Sequence, residues 1–216
     1  MASPLRSGRG LLITLEGIEG CGKSTQARLL ANRLRAEKRT VTLTSEPGGT
    51  SLGRAVRAAL LTPGRRVVPL AEWLLFEADR AQHVSEVVVP ALTRGNVVVS
   101  DRFSDSSRAY QGFARAIGLE EVDRVDAVAT GGLKPDLTIV LDLPVREGLA
   151  RRRRSGGLNR IDREREKFHQ KIRDAFLVLA MREPDRIKVV DGRIGRAEVA
   201  EVIWRHVSAV AGVPGR

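Results

Sequence analysis

Cysteine, aromatic side chains and long apolar runs are what this 216-residue chain has least of. Its one cysteine, Cys21, excludes an intrachain disulfide and fits a reducing compartment, so a cytoplasmic protein is expected. Apolar stretches such as residues 87–89 fall far short of the roughly 20 residues a membrane helix needs. Residues 1–10 have no apolar segment of the secretory kind and are expected to form a short flexible tail. Aromatic residues make up 4% of the chain, and no RNA-binding, homeodomain or zinc-finger signature appears. Acidic residues are also scarce, 26 against 37 Lys and Arg, for a net charge of +11. That excess keeps a nucleic-acid-dependent ATPase open as a rival reading. It is spread along helical faces and concentrated only at Arg151, Arg152, Arg153 and Arg154. A polyphosphate substrate attracts the same charge, so charge alone decides nothing.

What is present begins at residues 11–25, LLITLEGIEGCGKST. An apolar strand ends at Glu16, and Gly17, Gly22, Lys23 and Ser24 then fill the fixed positions of the phosphate-binding loop G-x-x-x-x-G-K-[ST]. Such a loop turns backbone N–H groups inward around a polyphosphate, which side chains would obstruct. The helix opening at Lys23 adds unpaired N–H donors and the positive end of its dipole. Gly17, Ile18, Glu19, Gly20, Cys21, Gly22, Lys23, Ser24 and Thr25 are therefore expected to hold a nucleoside triphosphate. Lys23 would reach the β- and γ-phosphates and the Ser24 hydroxyl a Mg²⁺ ion. Cys21 reads as a small residue that fits the loop and not as a nucleophile.

Further along, apolar strands alternate with amphipathic helices. Strands are expected at 41–45, 97–100, 137–142 and 187–190. Helices are expected at 24–38, 51–61, 69–93, 105–116, 119–130, 144–154, 162–182 and 196–210. Pro90 should end or kink the third of these helices. The alternation predicts an α/β fold of three layers, a five-stranded parallel sheet with helices on both faces. Ligands of such sheets bind at the strand C-termini, an edge that collects Glu16, Glu46, Asp101, Arg102 and Asp142. No linker divides the chain, so residues 11–210 read as a single domain.

A phosphate loop leaves kinases, GTPases, transporter ATPases and helicases open, and three features narrow the choice. Asp101 and Arg102 follow a strand directly, pairing a carboxylate for the metal's water shell with a guanidinium for a second phosphate. Phe76 and Arg80 lie one helical turn apart and suit a nucleobase, although alone such a pair also suits core and surface. The arginine run, followed by Ser-Gly-Gly and Arg160, has the make-up of a mobile flap, or equally of a solvated helix end.

With EGIEGCGKST at 16–25, EPGGT at 46–50, LLFEADRAQH at 74–83, VVSDRFSDSSRAYQG at 98–112, PDLTIVLD at 135–142 and RRRRSGGLNRID at 151–162, the chain resembles the thymidylate kinase family. The likeness runs from about residue 11 to 207. It implies phosphoryl transfer from ATP to dTMP with Mg²⁺ in a homodimeric cytoplasmic enzyme of DNA precursor synthesis. It further implies that Phe76 stacks on thymine and Arg80 bonds its carbonyl edge, while Arg57 and Arg102 hold the acceptor phosphate. Glu19 would sit near the sugar hydroxyl or metal, Ser107 near the base, and Tyr110, flanked by Gln111, against the deoxyribose. Asp101 would order the metal's water shell. Some members carry a catalytic arginine in the loop at the position of Gly20; here the lid at 151–162 would supply it, with Arg151, Arg153 and Arg160 favoured. No nucleic acid and no membrane enter this reading. A kinase of another nucleotide or of a deoxynucleoside is the nearer alternative.

Overall fold

In a computed structural model, residues 9–213 are described. Most of the expected tail, residues 1–8, lies outside them. Arg9 and Gly10 are built into the fold: Arg9 pairs with Asp136 at 2.9 Å, and the buried Gly10 donates its N–H to the Leu92 carbonyl at 2.8 Å.

Five short strands, β1 (Leu12–Glu16), β2 (Val41–Ser45), β3 (Val97–Asp101), β4 (Leu137–Asp142) and β5 (Ile187–Asp191), form one parallel sheet in the order β2-β3-β1-β4-β5. β1, β3 and β4 are buried almost throughout, as strands covered on both faces are. Neighbouring residues alternate between two apolar clusters. Ile13, Leu15, Val97 and Val99 belong to the larger, and Leu12 and Val98 join Val84, Val88, Ala91, Leu92 and Phe103 in the smaller. The register aligns Leu15 and Ser45 with Asp101, and Asp142 with Asp191, so the strand C-termini share an edge.

The helices are α1 (Lys23–Ala36), α2 (Ser51–Leu61), α3 (Pro69–His83), α4 (Val89–Thr93), α5 (Ser104–Ser107), α6 (Leu119–Thr130), α7 (Val145–Arg154), α8 (Glu166–Arg182) and α9 (Arg196–Ala211). Three segments differ in detail from expectation. Residues 69–93 do not form one α-helix: α3 stops at His83, a π-helical turn covers Val84–Val88, and α4 follows. Pro90 has no N–H for the carbonyl four residues back and crowds it, and the wider turn just upstream absorbs the mismatch. The segment expected at 105–116 starts as α5 and widens into a π-helix over Arg108–Ala114. Asp162 falls in a separate 3₁₀ turn, Ile161–Arg163, and α8 begins only at Glu166.

Candidate active site

The loop after β1 needs its glycines for space as well as for backbone conformation. Gly20 has φ +73°, and a Cβ there would stand 2.1 Å from the Gly148 carbonyl of α7. Gly148 returns the constraint, since its own Cβ would meet the Glu19 carbonyl at 2.6 Å. The glycine loop and α7 therefore touch backbone to backbone, and a side chain at position 20 has no room. α1 opens with neither a side-chain cap nor an acid in its first turn. Its free N–H groups and dipole face the cleft uncompensated, as an anion site requires. Lys23 folds back, giving hydrogen bonds to the carbonyls of Gly17 at 3.0 Å and Ile18 at 2.8 Å. Ser24 Oγ donates to the Asp101 carboxylate, which joins the helix start to the end of β3.

Arg102 follows at φ +76°, a left-handed conformation that is strained for a side chain of this size. The strands hold it there. Its N–H reaches the Leu15 carbonyl at 3.0 Å, and its carbonyl accepts from Ser100 Oγ at 2.7 Å. The guanidinium is thereby aimed over the loop, bonding Gly17 O, Ser106 Oγ and Glu19 Oε1. Glu19 is the hub of this corner. Besides Arg102 it accepts from the Tyr110 hydroxyl and, at 3.0 Å, from His169 Nδ1 on α8. Burial alone would raise its pKa, but the His169 hydrogen bond and the charges of Arg102 and Lys23 outweigh that and hold the carboxyl well below its usual range. Glu16, also buried, is pushed up to about 7 by desolvation, with the Arg102 charge opposing.

A cleft of about 920 Å³ lies above these residues. Among the residues expected at the site, Glu19, Gly20, Gly22, Lys23, Ser24, Thr25, Arg57, Phe76, Arg80, Asp101, Arg102, Tyr110, Gln111 and Arg151 line it. Gly17, Ile18 and Cys21 stand behind the loop, outside that lining. Ser107 turns its hydroxyl to Arg80 Nη1 at 3.0 Å. Arg153 is exposed away from the cleft. Arg160 is pinned between α2 and α3, donating to the Leu60 carbonyl at 2.8 Å and to Glu72. Arg80 is buried at the floor among carboxylates: Nε meets Glu46 at 3.0 Å, and Nη1 meets Glu77 at 2.5 Å and Asp126 at 3.1 Å.

Sequence reasoning passed over His169, and it placed Arg152, Asn159 and Asp162 in the segment 151–162 without giving them a role. His169 shares its helix face with Ile172, Phe176 and Leu179, so an ionisable residue on an apolar stripe was the signal available. The other three line the cleft, and adjacency in the segment 151–162 did not say which of its residues would.

A parallel sheet with a phosphate loop after its first strand, a cleft at the strand C-termini and an arginine-rich lid define a P-loop phosphotransferase of the nucleotide-kinase class. The comparisons with known proteins agree and go further. The family model described as thymidylate kinase matches residues 15–203. A thymidylate kinase of Synechococcus sp. (strain JA-2-3B'a(2-13)) is 49% identical over 197 residues, covering 91% of this chain and 94% of that protein. One from Deinococcus radiodurans is 48% identical over 200 residues, covering 93% and 97%. The crystal structure of thymidylate kinase from Ehrlichia chaffeensis superposes with a TM-score of 0.73 at 31% identity, covering 94% of this chain and 98% of that one. The chain belongs to the thymidylate kinase family.

Proposed function

We propose that this protein transfers the γ-phosphoryl group of ATP to dTMP, giving ADP and dTDP for DNA precursor synthesis, with residues 11–210 acting as one kinase domain. The observation that carries the reading is the cleft itself. It is lined by an uncapped helix N-terminus, by two arginines, Arg57 and Arg102, and by an aromatic side chain, Phe76. A donor triphosphate, an acceptor phosphate and an acceptor base need those three kinds of surface in one cleft.

In this reading the loop amides and Lys23 take the donor phosphates, and Lys23 leaves its parking place on the Gly17 and Ile18 carbonyls to do so. Arg57 and Arg102 bring the acceptor phosphate into line. Phe76 stacks on the base, and Arg80, whose Nη2 gives one N–H to the Phe103 carbonyl, offers its other to a base carbonyl. Tyr110, held by Glu19, closes the space beside the sugar. The acceptor oxygen is already ionised at neutral pH, so placement and charge stabilisation supply most of the rate.

Ser24 and Asp101 suit Mg²⁺: two hard oxygen donors side by side at the helix start. Among the described residues no group of three or more His, Cys, Asp or Glu side chains forms a metal cage, so phosphate oxygens and water would complete the shell. The ion would neutralise donor phosphate charge. A homodimer is part of the proposal, supported by Leu70 and Leu74 one turn apart on α3 and Leu52 on α2, all about half exposed. Sedimentation at micromolar concentration tests it. A cytoplasmic location is proposed with it; among the described residues no helix is long and apolar enough to cross a membrane.

The functional test is ADP release from ATP with Mg²⁺. Turnover should require dTMP and ignore added DNA. ATP hydrolysis stimulated by DNA in the absence of dTMP would replace this reading with the nucleic-acid-dependent one.

A further inference from the structure

The four arginines that end α7 are used differently by the fold. Arg152 makes the most hydrogen bonds of the four. Its Nε and Nη2 meet Asp162 Oδ2 at 3.0 and 2.9 Å. Nη1 donates to Ser155 Oγ at 2.9 Å and the Gly156 carbonyl at 2.7 Å, and Nη2 to the Gly157 carbonyl at 2.9 Å. Four of the five N–H groups of the guanidinium are used in these hydrogen bonds, and the Nη2 contact with Asp162 completes the ion pair. They draw the Ser-Gly-Gly turn back over the end of α7 and tie it to the 3₁₀ turn that carries Asp162. Asp162 is itself buried. Its Oδ2 also accepts the Asn159 N–H at 2.8 Å, and its Oδ1 is buried with no hydrogen-bond partner. Both Arg152 and Asp162 line the cleft.

A carboxylate in the wall of a polyphosphate site repels its ligand unless a cation neutralises it. We propose that Arg152 is a positioning residue of the lid and not a phosphate ligand: it closes the loop 152–162 on itself and cancels the Asp162 charge. Arg151 is then the member of the run left to face the phosphates. This inference rests on the phosphotransferase reading above. Arg151 lines the cleft and donates to the Gly192 carbonyl at 3.1 Å, with Glu147 at 3.8 Å, so it keeps N–H groups to offer. Arg153 and Arg154 are exposed and do not line the cleft. Lysine at 152 would pair with Asp162 as a point charge but would not reach the three lid oxygens together.

The test compares R152M, R152K, D162N and the double variant R152M/D162N by steady-state kinetics with dTMP and by amide hydrogen exchange. R152M should lower kcat about tenfold, since it leaves a half-shielded charge unpaired in the wall, while KM for dTMP stays within about twofold. Amides of residues 154–162 should exchange about tenfold faster as their closure is lost. R152K should fall between R152M and the parent. Adding D162N to R152M should restore most of the lost kcat, because the exposed charge goes with it. A direct phosphate ligand would behave otherwise: lid exchange unchanged in R152M, or no recovery in the double variant, overturns the proposal. Exchange is read without turnover, so a parent protein inactive on dTMP would overturn the functional reading while leaving the Arg152 closure decided on its own.

Discussion

Replacing Arg80 with methionine keeps the length and apolar stem of the side chain and removes the cation at the floor of the cleft. Arg80 pairs with Glu46, Glu77 and Asp126, and the two glutamates are only 4% exposed. Without Arg80, Glu46 keeps His83 Nδ1 at 2.7 Å and Glu77 loses the partner of its Oε1, so both must hold a buried charge with less compensation or take up protons. Breaking a buried pair in this way costs about 3–5 kcal/mol. Protonation sets the ceiling: neutralising an ordinary glutamate costs roughly 4 kcal/mol at pH 7.5 and roughly 2 kcal/mol at pH 5.5. For two glutamates the ceiling is about 8 kcal/mol at the higher pH, within the whole stability of a typical domain. Carboxylates without their cation bind protons more tightly folded than unfolded, so the variant loses stability as pH rises. Denaturant unfolding of parent and R80M at both pH values reads this directly. The variant should lose at least about 3 kcal/mol at pH 7.5 and regain about 2 kcal/mol or more of that deficit at pH 5.5. A deficit under about 1 kcal/mol at pH 7.5, or one that does not shrink on acidification, would refute the reasoning.

Three other perturbations probe separate parts of the account. Phe76→Ala should raise KM for dTMP about 10- to 100-fold with a smaller change in kcat, because base stacking on an aromatic ring contributes roughly 1–3 kcal/mol; an unchanged KM would remove Phe76 from the base site. Gly20→Ala places a methyl 2.1 Å from the Gly148 carbonyl at a positive φ, so the melting temperature should drop by roughly 4–10 °C in a calorimetric scan. A Tm within about 1 °C of the parent would show that α7 yields freely. Glu16, with its folded pKa raised to about 7 from 4.5, costs stability progressively as pH rises between those values. Glu16→Gln should therefore be the more stable protein at pH 8 and lose that advantage near pH 5 in parallel urea titrations.

The sequence made some of this legible and left the rest dark for identifiable reasons. The β-branched runs around Val41, Val97 and Ile187 marked strands because such residues pack well on a pleated surface. The phosphate loop was readable because its function fixes residue types at fixed spacing. The π-helical stretch from Arg108 has no comparable signature, since it arises from packing against α8 and not from local preference. The cage around Arg80 was invisible for a related reason. Glu77 lies one turn back on α3, but Glu46, just after β2, and Asp126, on α6, are far from it in the chain, and only the fold brings them to the pair. The lid shows the same limit at short range. Four adjacent arginines are equivalent in sequence, and only the positions of Asp162, Gly156 and Gly157 separate Arg152 from its neighbours.

The central claim is that the cleft accepts a nucleoside monophosphate whose phosphate Arg57 and Arg102 hold. Equal concentrations of dTMP, dUMP, dCMP, dGMP and thymidine, each incubated with ATP and Mg²⁺ and resolved by ion-exchange chromatography, test it most directly. The account predicts dTDP from dTMP as the fastest product and no appreciable phosphorylation of thymidine. Faster turnover of thymidine than of dTMP would contradict it, because the two arginines would then have no phosphate to hold.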